Sequence, residues 1–462
     1  MSKGKMVIAA PGSGRGKTMI TIGLIKLLQK KGYEVSSFKC GPDYIDPMFH
    51  KRVLNVPSGN LDLFFTDEKT TRKLFEKRSV AKGENHISIV EGVMGLYDGT
   101  ANTSEASTYH VAKVIDSPVI LIVDCKGMSY SALAVIRGFL DMDSEGLISG
   151  VILNRTSKKV FDSLKTSIEK MGVSALGYVP VIKDFNLQSR HLGLMMPHEI
   201  DNLDAEIDKL TDILDGSIDT EQLLEVAYGR AGTGNKTESE SDAKDNGDDK
   251  DKIRIAVAMD EAFCFYYEEN LGLLESLGAR IVPFSPIHDE KLPDNIAGLI
   301  LGGGYPELYA GQLSSNISMR QSIANAIEKG MPSLAECGGF MYLHKRIITD
   351  EAQNNAFEMA GVIDADCYYT GKLVRFGYIS FTDSESRFME NDSAGKTIRG
   401  HEFHYFDSTA NGEDADIVKV SGNIQYKAGY LADNHCWSFA HLYYLSNTSF
   451  IKTFIKKCRR FI

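Results

Sequence analysis

The sequence predicts two α/β domains joined by a polar segment. Three observations lead there. Near-continuous apolar runs alternate with amphipathic stretches in both halves of the chain, the pattern of a parallel sheet covered on both faces. A glycine-rich turn follows the first run and opens the first helical stretch. Residues 229–252 carry almost no apolar side chain and cannot bury enough surface to offset their ordering entropy. The length of 462 residues agrees, since one core serves about 150 residues. The expected division is 1–230 for the first domain, 231–252 for a flexible acidic linker and 253–462 for the second.

Strands are predicted in order at 5–10 (KMVIAA), 34–40 (EVSSFKC), 86–92 (HISIVEG), 118–124 (PVILIVD) and 148–155 (ISGVILNR). Most are short runs rich in Val and Ile bounded by polar or turn residues. Between the first two, KTMITIGLIKLLQKKG has helical character and stops at Gly32 with lysines in its last turn. Beyond the polar segment the pattern restarts. Strands are expected at 252–260, 279–285, 297–304, 331–337, 374–381 and 417–422, with helices at 266–277 and 316–330. The tail 449–462 spaces apolar residues as a helix does, with basic residues between. A closing helix on its own domain is preferred there over membrane-surface docking.

Composition narrows the class. With 43% hydrophobic and 24% charged residues the chain is neither disordered nor a membrane bundle. A net charge of -11 gives no electrostatic reason to bind nucleic acid or an anionic membrane. The seven cysteines are odd in number and lack C-x-x-C spacing. No targeting peptide is read in MSKGK, and no apolar run reaches the ~20 residues of a spanning helix. The cytoplasm is the expected location.

APGSGRGKT (10–18) sits between a strand and a helix, where backbone N–H groups and a helix N-terminus can cradle phosphates. Gly12, Ser13, Gly14, Arg15 and Gly16 form the loop, and the three glycines are expected to permit its backbone turns. Lys17 would reach terminal phosphates and Thr18 would face Mg²⁺. Pro11 replaces the first glycine of the strict P-loop pattern. Acids follow at strand ends: Asp43 and Asp46 after the second strand, Glu91 ending the third, and Asp98 beyond. In an open parallel sheet those ends form the ligand rim. Asp46 and Glu91 are therefore candidate Mg²⁺ ligands with Thr18. Asn154 would either contact a base edge or cap a turn.

AECGG places Cys337 where a strand turns sharply into a helix. It partly matches a nucleophile elbow that would expose the thiol, with Ala335 at the first glycine position. Gly302, Gly303 and Gly304 could complete an oxyanion hole with Gly338. A base is needed to make a thiol nucleophilic, and His401, His404 and His441 are candidates.

These motifs together resemble the cobyrinate a,c-diamide synthase family. GSGRGKT, FKCGPDYIDP, NLDLF and VEGVMGLYDG resemble its ATP domain. LGGGYPELYA, ECGGFMYL, RGHEFHY and SFAHLYY resemble its class I-like glutamine amidotransferase domain. The resemblance implies a dethiobiotin-synthetase-like P-loop domain followed by that amidotransferase domain. It implies that Cys337 attacks glutamine, that His441 activates it, and that Gly304 and its neighbours hold the oxyanion. Ordinary class I enzymes carry a glutamate two residues past that histidine, where this chain has Tyr443. Asp43 and Asp98 fall in motifs the family uses for acceptor binding and catalysis. ATP, Mg²⁺, L-glutamine and a cobyrinate-type tetrapyrrole are the implied partners, without nucleic acid or membrane; a homodimer is compatible. Nickel-sirohydrochlorin amidation, cobyric acid synthesis and a partition-type ATPase switch are the rival readings.

Overall fold

The computed structural model describes residues 3–79, 85–182, 189–190, 193–194, 202–230, 252–352, 354–390, 395–422 and 424–461. The chain forms two compact units, Met1–Ser239 and Glu240–Ile462. The predicted linker lies outside the described residues except for Lys252.

The first unit is built on a seven-stranded sheet: β1 (Gly4–Ala9), β2 (Glu34–Cys40), β3 (Ser58–Leu61), β4 (His86–Glu91), β5 (Val119–Asp124), β6 (Ile148–Asn154) and β7 (Ser174–Val179). Their order is β3-β2-β4-β1-β5-β6-β7, and every pairing is parallel. Consecutive side chains of a strand face opposite ways. Val7 and Ala9 accordingly join one core with Leu121 and Val123, while Met6 and Ile8 join another with Ile120 and Ile122. Each such Val or Ile contributes roughly 1.5–3 kcal/mol when fully buried. Helix α1 (Lys17–Lys30) covers the second of these faces and buries Ile20, Leu24 and Leu28. Gly23 lets the helix Leu203–Asp215 approach; a Cβ there would lie 2.4 Å from Leu214 Cδ1. β4 and β5 flank β1, so the order of strands reverses beside the loop that leaves β1, the place where such sheets bind ligands.

Five of the seven strands fall where the apolar runs predicted them. The other two, β3 (SGNL) and β7 (SALGYV), are the edges of the sheet. Strands with one neighbour carry weaker hydrophobic runs, and neither of these was predicted.

The second unit has a six-stranded sheet in the order Ala279–Phe284, Ile253–Ala258, Gly298–Leu301, Ser333–Glu336, His435–Ser438 and Tyr430–Ala432. The first five are parallel and the last antiparallel. An antiparallel sheet runs Gln425–Ala428, Ala415–Lys419, Arg375–Thr382, Thr397–His404 and His441–Leu442. The strand expected at 417–422 starts two residues earlier, at Ala415. The tail forms a helix, Thr448–Phe461, that buries Phe450, Ile451, Phe454, Ile455 and Cys458 in this unit's core. That apolar stripe is spent on its own domain, not on a membrane surface.

Candidate active sites

The glycine loop joins β1 to α1. Ser13, Gly14 and Arg15 are exposed at its tip. Gly14 and Gly16 have φ of +70° and +93°, the left-handed region that favours glycine. At Gly16 the approach is also close, since a Cβ would lie 2.4 Å from Asn154 Nδ2. Gly12 departs from expectation: its φ is not positive, and a Cβ there would meet nothing within 4 Å. Its glycine is not demanded by the backbone. Asn154, ending β6, donates from Nδ2 to the Arg15 carbonyl at 2.8 Å, and its Oδ1 accepts from Arg155 N at 2.9 Å. Of its two predicted roles, the geometry favours bracing a turn. Arg15 itself reaches Asp124 Oδ2 at 2.8 Å.

Lys17 is buried, and its Nζ donates to the carbonyls of Gly12 at 3.0 Å and Met94 at 2.6 Å. Burial, reinforced by the Lys39 charge, pulls its ammonium down to about 8. Met94 holds φ +48°, a strained value for a side chain this large, in the loop that carries Asp98. Asp98 Oδ2 accepts the Gly95 N–H at 2.8 Å, and its charge acts on Lys17.

The predicted acids converge below this loop. Thr18 Oγ1 donates to Glu91 Oε1 at 2.5 Å and lies 3.5 Å from Asp46 Oδ2. Asp46 stands in the first turn of α2 (Ile45–Val53). Asp43 Oδ1 accepts from Ile45 N at 2.8 Å and Asp46 N at 3.3 Å, which ties the turn together. One residue that the sequence reading missed is Lys39. Its buried ammonium lies 2.5 Å from Asp46, 2.8 Å from Glu91 and 3.9 Å from Asp43. Burial alone would pull Lys39 down, but Asp46, Glu91 and Asp43 outweigh it and hold it well above its ordinary value. Burial and the Asp46 charge push Glu91 up to about 7 and Asp43 up to about 6. Glu91 Oε2 is buried with no hydrogen-bond partner among the described residues, 3.8 Å from His50 Nε2. The oxygens of Thr18, Asp46 and Glu91 are of the hard kind Mg²⁺ prefers, but the Lys39 ammonium already lies on both carboxylates, and among the described residues no group of three or more His, Cys, Asp or Glu that could hold a metal ion is found.

Asp124, ending β5, was also missed. It receives Arg155 through Nε at 2.7 Å and through Nη2, and Arg15 at 2.8 Å. The Arg155 hydrogen bonds hold its carboxyl down to about 2. It ties the loop to the neighbouring strand ends.

In the second unit Cys337 separates the strand Ser333–Glu336 from the helix Gly338–Leu343. Its φ of +45° and ψ of -102° mark a strained turn of the elbow type. The expectation of an exposed thiol is corrected: Cys337 is 7% exposed and belongs to the apolar core. Gly338 packs under the Gly304–Pro306 segment, where a Cβ would lie 3.1 Å from Gly304 N and 2.9 Å from Pro306 Cδ. Burial, then the Glu307 charge, pushes the thiol up, while the Gly338 N–H bonded to the sulfur opposes this.

Gly304 has φ +155°, and a Cβ there would lie 2.0 Å from the Ala262 carbonyl, so only glycine fits. Gly303 lies against His441, where a Cβ would be 2.4 Å from Cε1. Gly302 is a correction: its N–H donates to Tyr266 Oη at 2.9 Å and so does not point at an oxyanion. Cys337 N donates to the Ser438 carbonyl at 2.9 Å, which brings the strand leading to His441 beside the elbow. His441 is buried and pairs directly with His401 across the antiparallel sheet. Burial, then the neighbouring His401 and His404, holds His441 well below its ordinary value. His404 turns elsewhere, stacking on Phe439 and bonding the Phe406 carbonyl at 2.6 Å. Glu336 was not predicted. It accepts from Tyr444 Oη at 3.2 Å, and burial pushes it up to about 8.

Residues 6–194 match the CobQ/CobB/MinD/ParA nucleotide binding domain, and residues 254–449 match the CobB/CobQ-like glutamine amidotransferase domain. The chain is 39% identical over 459 residues to the cobyrinate a,c-diamide synthase of Caldanaerobacter subterraneus subsp. tengcongensis, covering 98% of each. It is 39% identical over 461 residues to that of Listeria innocua serovar 6a, covering 97% of this chain and 98% of the relative. It is 36% identical over 465 residues to that of Thermoplasma volcanium, covering 99% and 98%. A partition-type switch alone would not account for the second domain. With both domains matched and relatives aligned over nearly the whole length, the chain belongs to the cobyrinate a,c-diamide synthase family.

Proposed function

We propose that this protein is an ATP-dependent carbon–nitrogen ligase that uses glutamine to amidate the a- and c-acetate side chains of cobyrinate in cobalamin biosynthesis. The observation that carries the reading is the pairing of two sites in one chain. A glycine loop with Lys17 over an acid cluster stands in the first unit, and a strained cysteine elbow stands in the second. Full-length similarity to cobyrinate a,c-diamide synthases supports the substrate. We assign the synthetase role to 1–230 and the amidotransferase role to 253–462.

In the first site, the acceptor carboxylate attacks the γ-phosphorus of ATP and ADP leaves. Lys17 and the N–H groups of the loop stabilise charge on the phosphate oxygens. Thr18, Asp46 and Glu91 would hold Mg²⁺, whose charge lowers the cost of placing anionic phosphates beside carboxylates. Asp43 and Asp98 line the acceptor side. In the second site, His441 takes the Cys337 proton and the sulfur attacks the glutamine amide carbon. Gly303, Gly304 and Gly338 face the oxyanion. His441 then returns the proton to the departing ammonia, leaving a thioester for water to cleave. Ammonia displaces phosphate from the acyl phosphate and forms the amide. We place the protein in the cytoplasm, where both co-substrates are supplied; among the described residues no helix is long and apolar enough to cross a membrane.

Incubating the purified protein with ATP, glutamine, Mg²⁺ and either cobyrinate or nickel-sirohydrochlorin, then weighing the products, tests the reading. A diamide of cobyrinate is expected. Amidation of nickel-sirohydrochlorin alone would move the assignment to that substrate, and amidation of neither would refute it.

A further inference from the structure

Two residues past His441 stands Tyr443, so no carboxylate at that position fixes the ring. We propose that His401 is the positioning residue of the glutamine site: its imidazole stacks on that of His441 and, braced by Tyr267, sets the plane in which His441 meets Cys337. The proposal rests on the reading of His441 as the base.

His401 and His441 lie directly opposite each other in adjacent antiparallel strands. Their ring centroids are 4.8 Å apart and their planes 15° from parallel. Gly303 approaches His441 at Cε1, so backbone and ring together confine the imidazole. This matters because rotation about the bond to a planar ring is soft, and neighbours decide where it stops. Tyr267 Oη lies 3.2 Å from His401 Nδ1, and the Tyr267 ring meets Tyr443 edge-on at 5.1 Å. Tyr267, His401, Tyr443 and His441 are all buried. The position of the missing glutamate is thus filled by an aromatic that supports the brace.

The backbone of His441 is held independently. Asn270 Nδ2 donates to the Leu442 carbonyl and Asn270 Oδ1 accepts from Tyr444 N, both at 2.8 Å. Backbone clamp and ring stack divide the task that one carboxylate performs elsewhere. Burial pushes His401 down to about 3, so it stays neutral and adds no charge to oppose the imidazolium formed during turnover.

The test compares His401→Ala, His401→Phe and His441→Ala in glutamine hydrolysis and in ammonia-dependent amidation of cobyrinate. His401→Ala should lower kcat for glutamine roughly 10- to 100-fold, the cost of a misplaced catalytic group, with KM within about twofold and ammonia-dependent amidation unchanged. His401→Phe, which keeps a flat ring, should recover kcat to within about fivefold of the parent. An unchanged kcat in His401→Ala overturns the proposal, as does a folded His401→Phe no faster than His401→Ala. Emission of Trp437, the chain's single tryptophan, reports folding of this unit; if His401→Ala does not fold, His401→Phe decides alone. Glutamine hydrolysis surviving in His441→Ala would instead remove the base assignment beneath it.

Discussion

The two sites lie at the carboxyl ends of parallel strands, yet they handle buried charge in opposite ways. Around β2 and β4 the first unit buries charge and pairs it: Lys39 stands among Asp46, Glu91 and Asp43. Around Cys337 the groups of the site itself are held uncharged, although the Glu307 and Glu402 carboxylates act on the thiol. Burial keeps the thiol protonated, His401 and His441 neutral, and Glu336 up at about 8. The chemistry explains the contrast. Phosphoryl transfer begins and ends with anions, so a fixed arrangement of compensated charge is useful before the substrate arrives. Amide cleavage starts from neutral glutamine, and charge need develop only when sulfur attacks and the proton moves to histidine.

The sharpest way to break this comparison is to remove one reactive group from each side. Lys17→Ala should cut amidation at least about 1,000-fold with either glutamine or ammonia as nitrogen source. Cys337→Ala should cut glutamine-dependent amidation by a similar factor while leaving ammonia-dependent amidation and ATP turnover in place. Steady-state assays with both nitrogen sources check the pair. If ammonia fails to rescue Cys337→Ala, the two sites are not separable as argued.

Next in size is the loss of the compensating cation. Lys39→Met leaves buried carboxylates without their partner, a change that costs about 3–5 kcal/mol. The first unit should unfold at lower urea concentration by circular dichroism. Fluorescence of Trp437, which lies in the second unit, should keep its transition. An unmoved first transition would show that the acid cluster does not depend on Lys39.

The smallest effect concerns Asp124. Its pKa is depressed from 3.8 to about 2 by Arg155. A depressed carboxylate contributes stability that is present above the unfolded value and is lost as pH falls through the folded one. That contribution should therefore disappear between about pH 4 and pH 2, and Asp124→Asn should flatten the acid limb of stability against pH. A limb of unchanged slope would mean that Asp124 is not held by the arginines.

What could be read in advance follows from how local each signal is. The glycine loop and the elbow are made by neighbours in sequence, and most strands buried on both faces announce themselves by runs of Val and Ile. Edge strands β3 and β7 gave no such run. Nothing in SFKC singles out Lys39 until β2 and β4 pair and set it opposite Glu91. Gly302 looked equivalent to its neighbours, but Tyr266 takes its N–H.

By itself, the order of residues determined two α/β domains, the phosphate loop, the acids at strand ends and the cysteine turn, because each depends on backbone geometry within a few positions. Only the tertiary structure decided that Lys39 balances those acids, that Cys337 is covered, and that His401 lies on His441. Those outcomes depend on which strands become neighbours and in what register, and no short stretch of sequence carries that information.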